Sequence, residues 1–286
     1  MIRKVNYKDY QVHVYVEGEK EAVLLLHGWP TNAGLWKAQR DFLKPNYQVI
    51  TPEWLGFGQS DKPKDHQYSL NSMVEILDKL VDLVLPREEK LTIIAHDIGG
   101  LAALLWASGH HERVKSLILL NTVFYNFQTP LDKLGHFFFG LPLFNRLQLS
   151  NFGLSSLMMN LLKSKNQDKF QAAYDVLKRN EEIPRIIRRK TIMEPLDQEG
   201  RKLVCGLAAS FKSLAVDKHL VIARKDPLCY AHMQRIYEEN PEVPAHFLED
   251  CGHFISLDQP EALNKLLAQI LTASRIKKQQ MNYRQV

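Results

Sequence analysis

Three side chains in this sequence are of the types that together carry out nucleophilic hydrolysis: the carboxylates Asp97 and Asp226 and the imidazole His253. Asp97 stands in Ala95-His96-Asp97-Ile98-Gly99-Gly100, after the apolar run Leu91 to Ala95 and before a helix rich in alanine and leucine. This is small-x-nucleophile-x-small, and a sharp strand-to-helix turn needs it because neighbouring backbones come too close for side chains. Serine is the usual occupant, and aspartate is also a preferred helix cap, so Asp97 by itself reads either way. Lys225-Asp226-Pro227 and Cys251-Gly252-His253-Phe254 lie downstream, giving the order nucleophile, acid, histidine. A lone Lys-Asp-Pro is usually a turn and a lone histidine usually carries no message. The order of all three at strand ends is what singles them out.

A carboxylate in that position implies a different reaction from serine. A serine alkoxide attacks acyl carbon, whereas a carboxylate suits displacement at an alkyl carbon bearing a good leaving group, such as a strained epoxide or a carbon–halogen bond. The product would be an ester whose carbonyl belongs to Asp97. Water deprotonated by His253 would then attack that carbonyl, while Asp226 orients the imidazole and stabilises its charged form. No metal and no organic cofactor is needed for these steps.

The elements that must position these groups follow from hydrophobic period. Val12, Val14 and Val16 alternate with His13 and Tyr15, which predicts a half-buried strand near a sheet edge. Ala22 to Leu26, Val49 to Thr51, Leu91 to Ala95, Ser116 to Leu120 and Leu220 to Ala223 are short apolar runs, as in parallel strands buried on both faces. Helical periods lie between them: Leu70, Val74, Leu77, Val81 and Val84, with Ser72 and Glu75 as a capping box, and a last helix opened by Pro260 with Leu263, Leu266, Leu267 and Ile270 on its buried stripe. Alternating strands and helices predict an α/β fold with a doubly wound, mostly parallel sheet. The alternation lapses between about 123 and 212, which predicts an inserted helical cap over the carboxyl ends of the strands. The expected organisation is a core from 1–122 and 213–274, a cap from 123–212, and a flexible basic tail from 275–286.

With these pieces together the sequence resembles the epoxide hydrolase and haloalkane dehalogenase branch of the α/β-hydrolase superfamily. The matching segments are His27-Gly28-Trp29-Pro30, Leu55-Gly56-Phe57-Gly58-Gln59-Ser60-Asp61-Lys62-Pro63, His96-Asp97-Ile98-Gly99-Gly100, Asp226-Pro227 and Gly252-His253-Phe254. The resemblance implies an oxyanion hole made by the backbone N–H groups of Trp29 and Ile98. It also separates two leaving groups. Dehalogenases commonly hold the halide with a tryptophan directly after the nucleophile, where this chain has Ile98, and some place the acid after the strand Ser116 to Leu120, where Asn121-Thr122-Val123 stands. Epoxide hydrolases protonate the opening ring with cap tyrosines, which makes Tyr174 and Tyr125, with His136, the candidate proton donors. Epoxide hydrolysis is therefore the expected activity, haloalkane or haloacid dehalogenation the alternative, and a catalytically silent binding protein on the same fold the third reading.

Composition agrees with a globular protein and not with a disordered or membrane one. Of 286 residues 45% are hydrophobic and 24% charged, with no stretch of apolar residues long enough to span a membrane. The net charge of +5 comes with basic residues gathered at Arg185 to Lys190 and Arg275 to Arg284, without interleaved aromatics or a nucleic-acid motif. Cys205, Cys229 and Cys251 match neither paired disulfides nor a zinc site, and Met1 to Tyr10 lacks a secretory signal's apolar middle, so a cytoplasmic location is expected. The expected partners are a small apolar organic substrate and water, with no nucleic acid or membrane; nothing in the sequence decides an oligomeric state. Glu53 is read as loop structure.

Overall fold

The computed structural model describes residues 2–123, 162, 171–173, 175–176 and 183–283. Eight strands form one sheet: β1 (Ile2–Tyr7), β2 (Tyr10–Glu17), β3 (Ala22–Leu26), β4 (Gln48–Pro52), β5 (Leu91–His96), β6 (Val114–Leu120), β7 (Asp217–Ala223) and β8 (Ala245–Leu248). Their spatial order is β1-β2-β4-β3-β5-β6-β7-β8. β1, β2 and β4 pair antiparallel in succession and every later pairing is parallel. The alternating valines form β2, but the edge itself is β1, whose two buried side chains, Val5 and Tyr7, are too few to announce a strand. β8 is missing from the sequence reading for a similar reason, being four residues long and only partly buried.

Side chains of the parallel strands alternate between two apolar layers, as the unbroken apolar runs require. Leu24, Leu26, Ile93, Leu117 and Ile222 point into one layer, and Val23, Leu25, Ile94, Ile118 and Val221 into the other. The first layer is covered by α2 (Leu70–Val84), α3 (Ile98–Gly109), α5 (Gln198–Ser213) and α6 (Tyr230–Glu239). The second is covered by α1 (Lys37–Leu43), α7 (Ile255–Asp258) and α8 (Pro260–Tyr283).

Three boundaries differ from expectation. The cap of α2 is Ser69, which accepts from Ser72 N at 3.2 Å, and not a Ser72–Glu75 box. Ser72 already lies in the first turn, where its hydroxyl donates back to Ser69 O, and Glu75 accepts from Tyr7 Oη at 2.6 Å instead. α8 runs to Tyr283, so most of the segment expected as a flexible tail is helical. Within the segment expected as the cap, α4 (Arg185–Met193) and α5 are described; Val204, Leu207 and Phe211 of α5 pack in the same layer as Leu101 and Leu104 of α3, so the core resumes at α5 and not at residue 213. The rest of the expected cap lies largely outside the described residues.

This order positions a site. From β3 the chain moves to β4 on one side and then returns past β3 to β5 on the other. Loops leaving β3 and β5 therefore diverge, and a crevice opens at their carboxyl ends. Register sets Leu26 beside Ala95 and His96 beside Leu120, which brings the segments starting at His27, Asp97 and Asn121 to one level.

The stripe of α8 supports this frame from below. Leu263 and Leu267 are fully buried and Leu266 half-buried. Replacing Leu267 with alanine should lower stability by about 2–5 kcal/mol. A urea midpoint that stays in place at constant slope would contradict that packing role.

Candidate active site

Asp97 sits at the junction of β5 and α3 with φ 55° and ψ −126°, in the left-handed half of backbone space that a side chain other than glycine enters at a cost of about 1–3 kcal/mol. Three close approaches hold the chain there. A Cβ on Gly99 would lie 2.6 Å from His27 O, one on Gly28 would lie 2.5 Å from Asp97 Oδ1, and one on Gly100 would collide with the Thr122 side chain. The carboxylate makes no capping bond to α3. It turns into the crevice, where Oδ1 accepts from Trp29 N at 3.0 Å and the carboxylate also takes the Ile98 N–H. Both donors expected of an oxyanion hole thus converge on Asp97. Desolvation raises its pKa, against the pull of His253 and of these two N–H groups.

His253 and Asp226 arrive from the far end of the sheet. Asp226 follows β7 and His253 follows β8; each is almost wholly buried. His253 Nδ1 donates to Asp226 Oδ2 at 2.9 Å, which leaves Nε2 facing Asp97 Oδ2 at 3.8 Å. The second Asp226 oxygen accepts from Leu228 N at 2.8 Å. Burial works to raise the Asp226 carboxyl, but attraction to His253, their hydrogen bond, and the Leu228 and Cys229 N–H groups hold it below the ordinary range. Burial works to lower the His253 ring; Asp226, followed by Asp97, raises it above its usual value. The sequence-predicted Asp97, Asp226, His253, Trp29 and Ile98 are therefore brought together. Tyr125, His136 and Tyr174 lie outside the described residues.

Two further residues, His96 and Asn121, hold the histidine loop. His96 Nε2 donates to His253 O at 2.9 Å, and Asn121 Nδ2 donates to the same oxygen at 2.9 Å while its Oδ1 accepts from Ala223 N at 3.0 Å. Asn121 thereby ties the ends of β6 and β7 to the loop after β8. A polar residue directly after a buried parallel strand, level with Asp97, was the available signal. Gly252 N is fixed in turn by Asp258 Oδ2 at 2.7 Å. On the other side, His27 Nδ1 donates to Gly28 O at 3.0 Å and Nε2 accepts from Trp54 N at 3.2 Å, so both nitrogens are used by the neutral ring. Glu53 is buried, accepts from Gln59 N and Ala33 N, and shapes the loop after β4. All three cysteines are free thiols. The Cys229 sulfur, Asp226 and His253 offer donor atoms within 4.8 Å of one another, but the latter two already bond each other.

Residues 21–260 match the profile of the α/β hydrolase fold. The chain belongs to that family. Among its curated relatives, the α/β-hydrolase is 27% identical to a cis-3-alkyl-4-alkyloxetan-2-one decarboxylase of Shewanella oneidensis, over 95% of this chain and 88% of that one. It is 37% identical to the mesoderm-specific transcript protein of Mus musculus over 39% of this chain and 36% of that one. Two solved structures match it with TM-scores of 0.80 at 19% identity: an esterase of Exiguobacterium antarcticum, covering 95% of this chain and all of that one, and haloalkane dehalogenase DbeA of Bradyrhizobium elkani, covering 97% and 99%. Neighbours with different chemistries lie equally near, so the likeness carries the fold and not the reaction. Among the described residues no helix is long and apolar enough to cross a membrane.

The ionisation pattern of this α/β-hydrolase has a consequence for stability. Burial lowers His27 to about 4 and His96 to about 3, from 6.5, and His96 Nδ1 has no partner that could share a proton. Burial also lowers His66, helped by Lys8 and Lys190, and His246, helped by His219. Unfolding frees these four rings to take up protons below pH 6.5, against one ring, His253, that is held above it. Stability should therefore fall as pH drops from about 7 to about 5. A denaturation midpoint that is flat or rising over that window would refute the neutral burial of these rings.

Proposed function

We propose that this α/β-hydrolase opens a strained oxygen ring through a covalent alkyl ester on Asp97, the expected substrate being an epoxide and the second step hydrolysis by water that His253 deprotonates. The observation that carries this reading is the Asp97 carboxylate at the elbow, without a helix-capping bond, held by Trp29 N at 3.0 Å and faced by His253 Nε2 at 3.8 Å. Asp97 Oδ2 attacks the ring carbon and the C–O bond breaks toward the departing oxygen, which takes a proton from water or from one of the expected donors Tyr174, Tyr125 and His136. Oδ1 stays with the Trp29 N–H. When water attacks the ester carbonyl, charge grows on that same oxygen, and each donor aimed at it contributes on the order of 3 kcal/mol. His253 takes the proton from water and returns it to the product oxygen as the tetrahedral intermediate collapses and its C–O bond to the product breaks, while Asp226, kept ionised, balances the imidazolium. Halide displacement is favoured less. Ile98 offers no ring donor, and the Trp54 ring N–H already donates to His27 O at 2.9 Å.

A second ring has a specific observation behind it, since the relative that matches 95% of this chain is named for decarboxylating an oxetan-2-one. The same carboxylate could attack the alkyl carbon of a four-membered lactone, breaking its C–O bond and freeing a carboxylate. Loss of carbon dioxide would then send its bonding pair into a C=C bond and expel Asp97. That sequence consumes no water.

One single-turnover experiment in heavy-oxygen water separates the two. Epoxide hydrolysis should label Asp97, and His253→Gln should trap the ester as a mass increase on the protein. Lactone opening should release carbon dioxide and alkene, leave Asp97 unlabelled, and survive His253→Gln in its second step. Turnover of either substrate that persists in Asp97→Ala would reject both. The pH profile gives an independent reading. Ester hydrolysis needs neutral His253, whose pKa is raised above 6.5, so the rate should climb with pH through a value above 6.5. Asp226→Asn should move that limb downward as well as slow the reaction; a limb that stays in place would remove Asp226 from its assigned role.

A further inference from the structure

Toward the amino ends of β7 and β8, opposite the carboxyl ends that carry the site, His219 and His246 meet on the sheet face covered by α1, α7 and α8. Their strand partners show the side: His219 is registered with Ile118 and His246 with Val221, both in the second apolar layer. His219 is almost wholly buried and His246 half-buried. His219 Nδ1 lies 3.4 Å from His246 Nε2, and the rings are close to coplanar, 23° apart with centroids at 5.6 Å. The other His219 nitrogen, Nε2, donates to Asp217 Oδ2 at 3.3 Å, and that oxygen also accepts from Ser116 Oγ at 3.0 Å. With its proton committed to Asp217, neutral His219 presents a bare lone pair at Nδ1, aimed at the His246 ring. A direct N–H···N bond over 3.4 Å is a long one. The same spacing is the edge of a tetrahedral ion, since two nitrogens bound at about 2.0–2.1 Å stand about 3.3–3.4 Å apart. A carboxylate on the outer nitrogen is also the usual support of a metal-bound imidazole, where it fixes the tautomer and makes the lone pair more basic.

We propose that His219 Nδ1 and His246 Nε2 form a binding site for Zn²⁺, with Asp217 as the support of His219 and water in the remaining positions. Imidazole nitrogen suits zinc, copper and nickel, and not magnesium or calcium, which take oxygen. Because His246 is only half-buried, its ring can swing until both lone pairs meet at one ion, its own proton moving to Nδ1. The ion fastens β8, an edge strand of four partly buried residues, to β7. The two ligands come from different strands and meet only in the folded chain, so binding stabilises the fold. β7 leads to Asp226 and β8 to His253, so the ion braces the frame of the site without touching it, whatever reaction Asp97 carries out.

Calorimetric titration of the full chain with Zn²⁺, after treatment with a chelator, tests this without requiring turnover. One equivalent should bind to the wild type, Mg²⁺ should not compete, and the urea midpoint should rise when Zn²⁺ is present. His219→Gln and His246→Gln should each lose that equivalent and the rise in midpoint, and Asp217→Asn should weaken binding by about 10- to 100-fold. In protein carrying histidine labelled with heavy nitrogen, Zn²⁺ should displace one Nδ1 and one Nε2 resonance together. No binding by the wild type, or displaced resonances that do not pair an Nδ1 with an Nε2, would overturn the proposal even if a variant does not fold. An equivalent that survives in folded His246→Gln would overturn it too. So would an equivalent lost in Cys229→Ser, which would put the ion beside Asp226 and His253.

Discussion

The tight turn at Asp97 is the constraint on which the rest of the site depends. β5 is buried on both sides, so the chain must leave it abruptly to begin α3, and it does so with φ 55° at a residue that bears a side chain. Such a conformation persists only when its surroundings fix it. Here they do so by proximity: His27 O lies where Gly99 would carry a Cβ, and Asp97 itself fills the space that Gly28 leaves open. The same strain that makes the turn costly decides what the carboxylate can do. An aspartate in ordinary extended geometry before a helix would cap it; rotated into this geometry, Asp97 makes no cap bond and meets the Trp29 N–H across the crevice.

Electrostatics then divides two carboxylates into different roles. Asp226 is bonded through Nδ1 of His253 and two backbone N–H groups, which keeps it ionised, whereas Asp97 is raised by desolvation, with a smaller push from the Asp226 charge. His253 sits between them with its charge favoured by both. The neutral rings around it matter equally. His27 and His96 lie close to the site and are uncharged through burial, so neither ring opposes the imidazolium of His253 with a positive charge when it forms. Titratable neighbours pushed apart in this way are how one pocket can hold an acid and a base at the same pH.

Packing of the strand ends carries the precision. Asn121 touches none of the reacting atoms, yet it bonds Ala223 N on β7 and the carbonyls of Gly252 and His253, so the acid and the histidine are set by a single amide. Among the described residues near the site, the Trp54, Tyr68, Ser72 and Thr191 side chains already donate to backbone carbonyls.

Much of this was legible in the residues before any coordinates. Runs such as Val23 to Leu26 and Ile93 to Ala95 declare strands buried on both faces, because only such strands tolerate apolar side chains on successive positions. Gly99 and Gly100 after Asp97, with Asp226 and His253 downstream in order, were sufficient to name the three side chains that converge, and the resemblance carried by His27-Gly28-Trp29-Pro30 named the Trp29 and Ile98 N–H groups. Weak local patterns were not legible: β1 and β8 owe their pairing to neighbours rather than to their own sequence, and Ser69 rather than Ser72 caps α2 because the helix starts where Leu70 can be buried. Tertiary structure alone decided whether Asp97 caps its helix or faces the imidazole, since aspartate serves both purposes and the choice lies in two backbone angles. It alone decided the role of Asn121, and that the Trp54 and Tyr68 polar atoms are occupied. Sequence specifies which groups are present and in what order; whether a donor is free depends on what stands within 3 Å of it, and residues far apart along the chain settle that only when the sheet assembles.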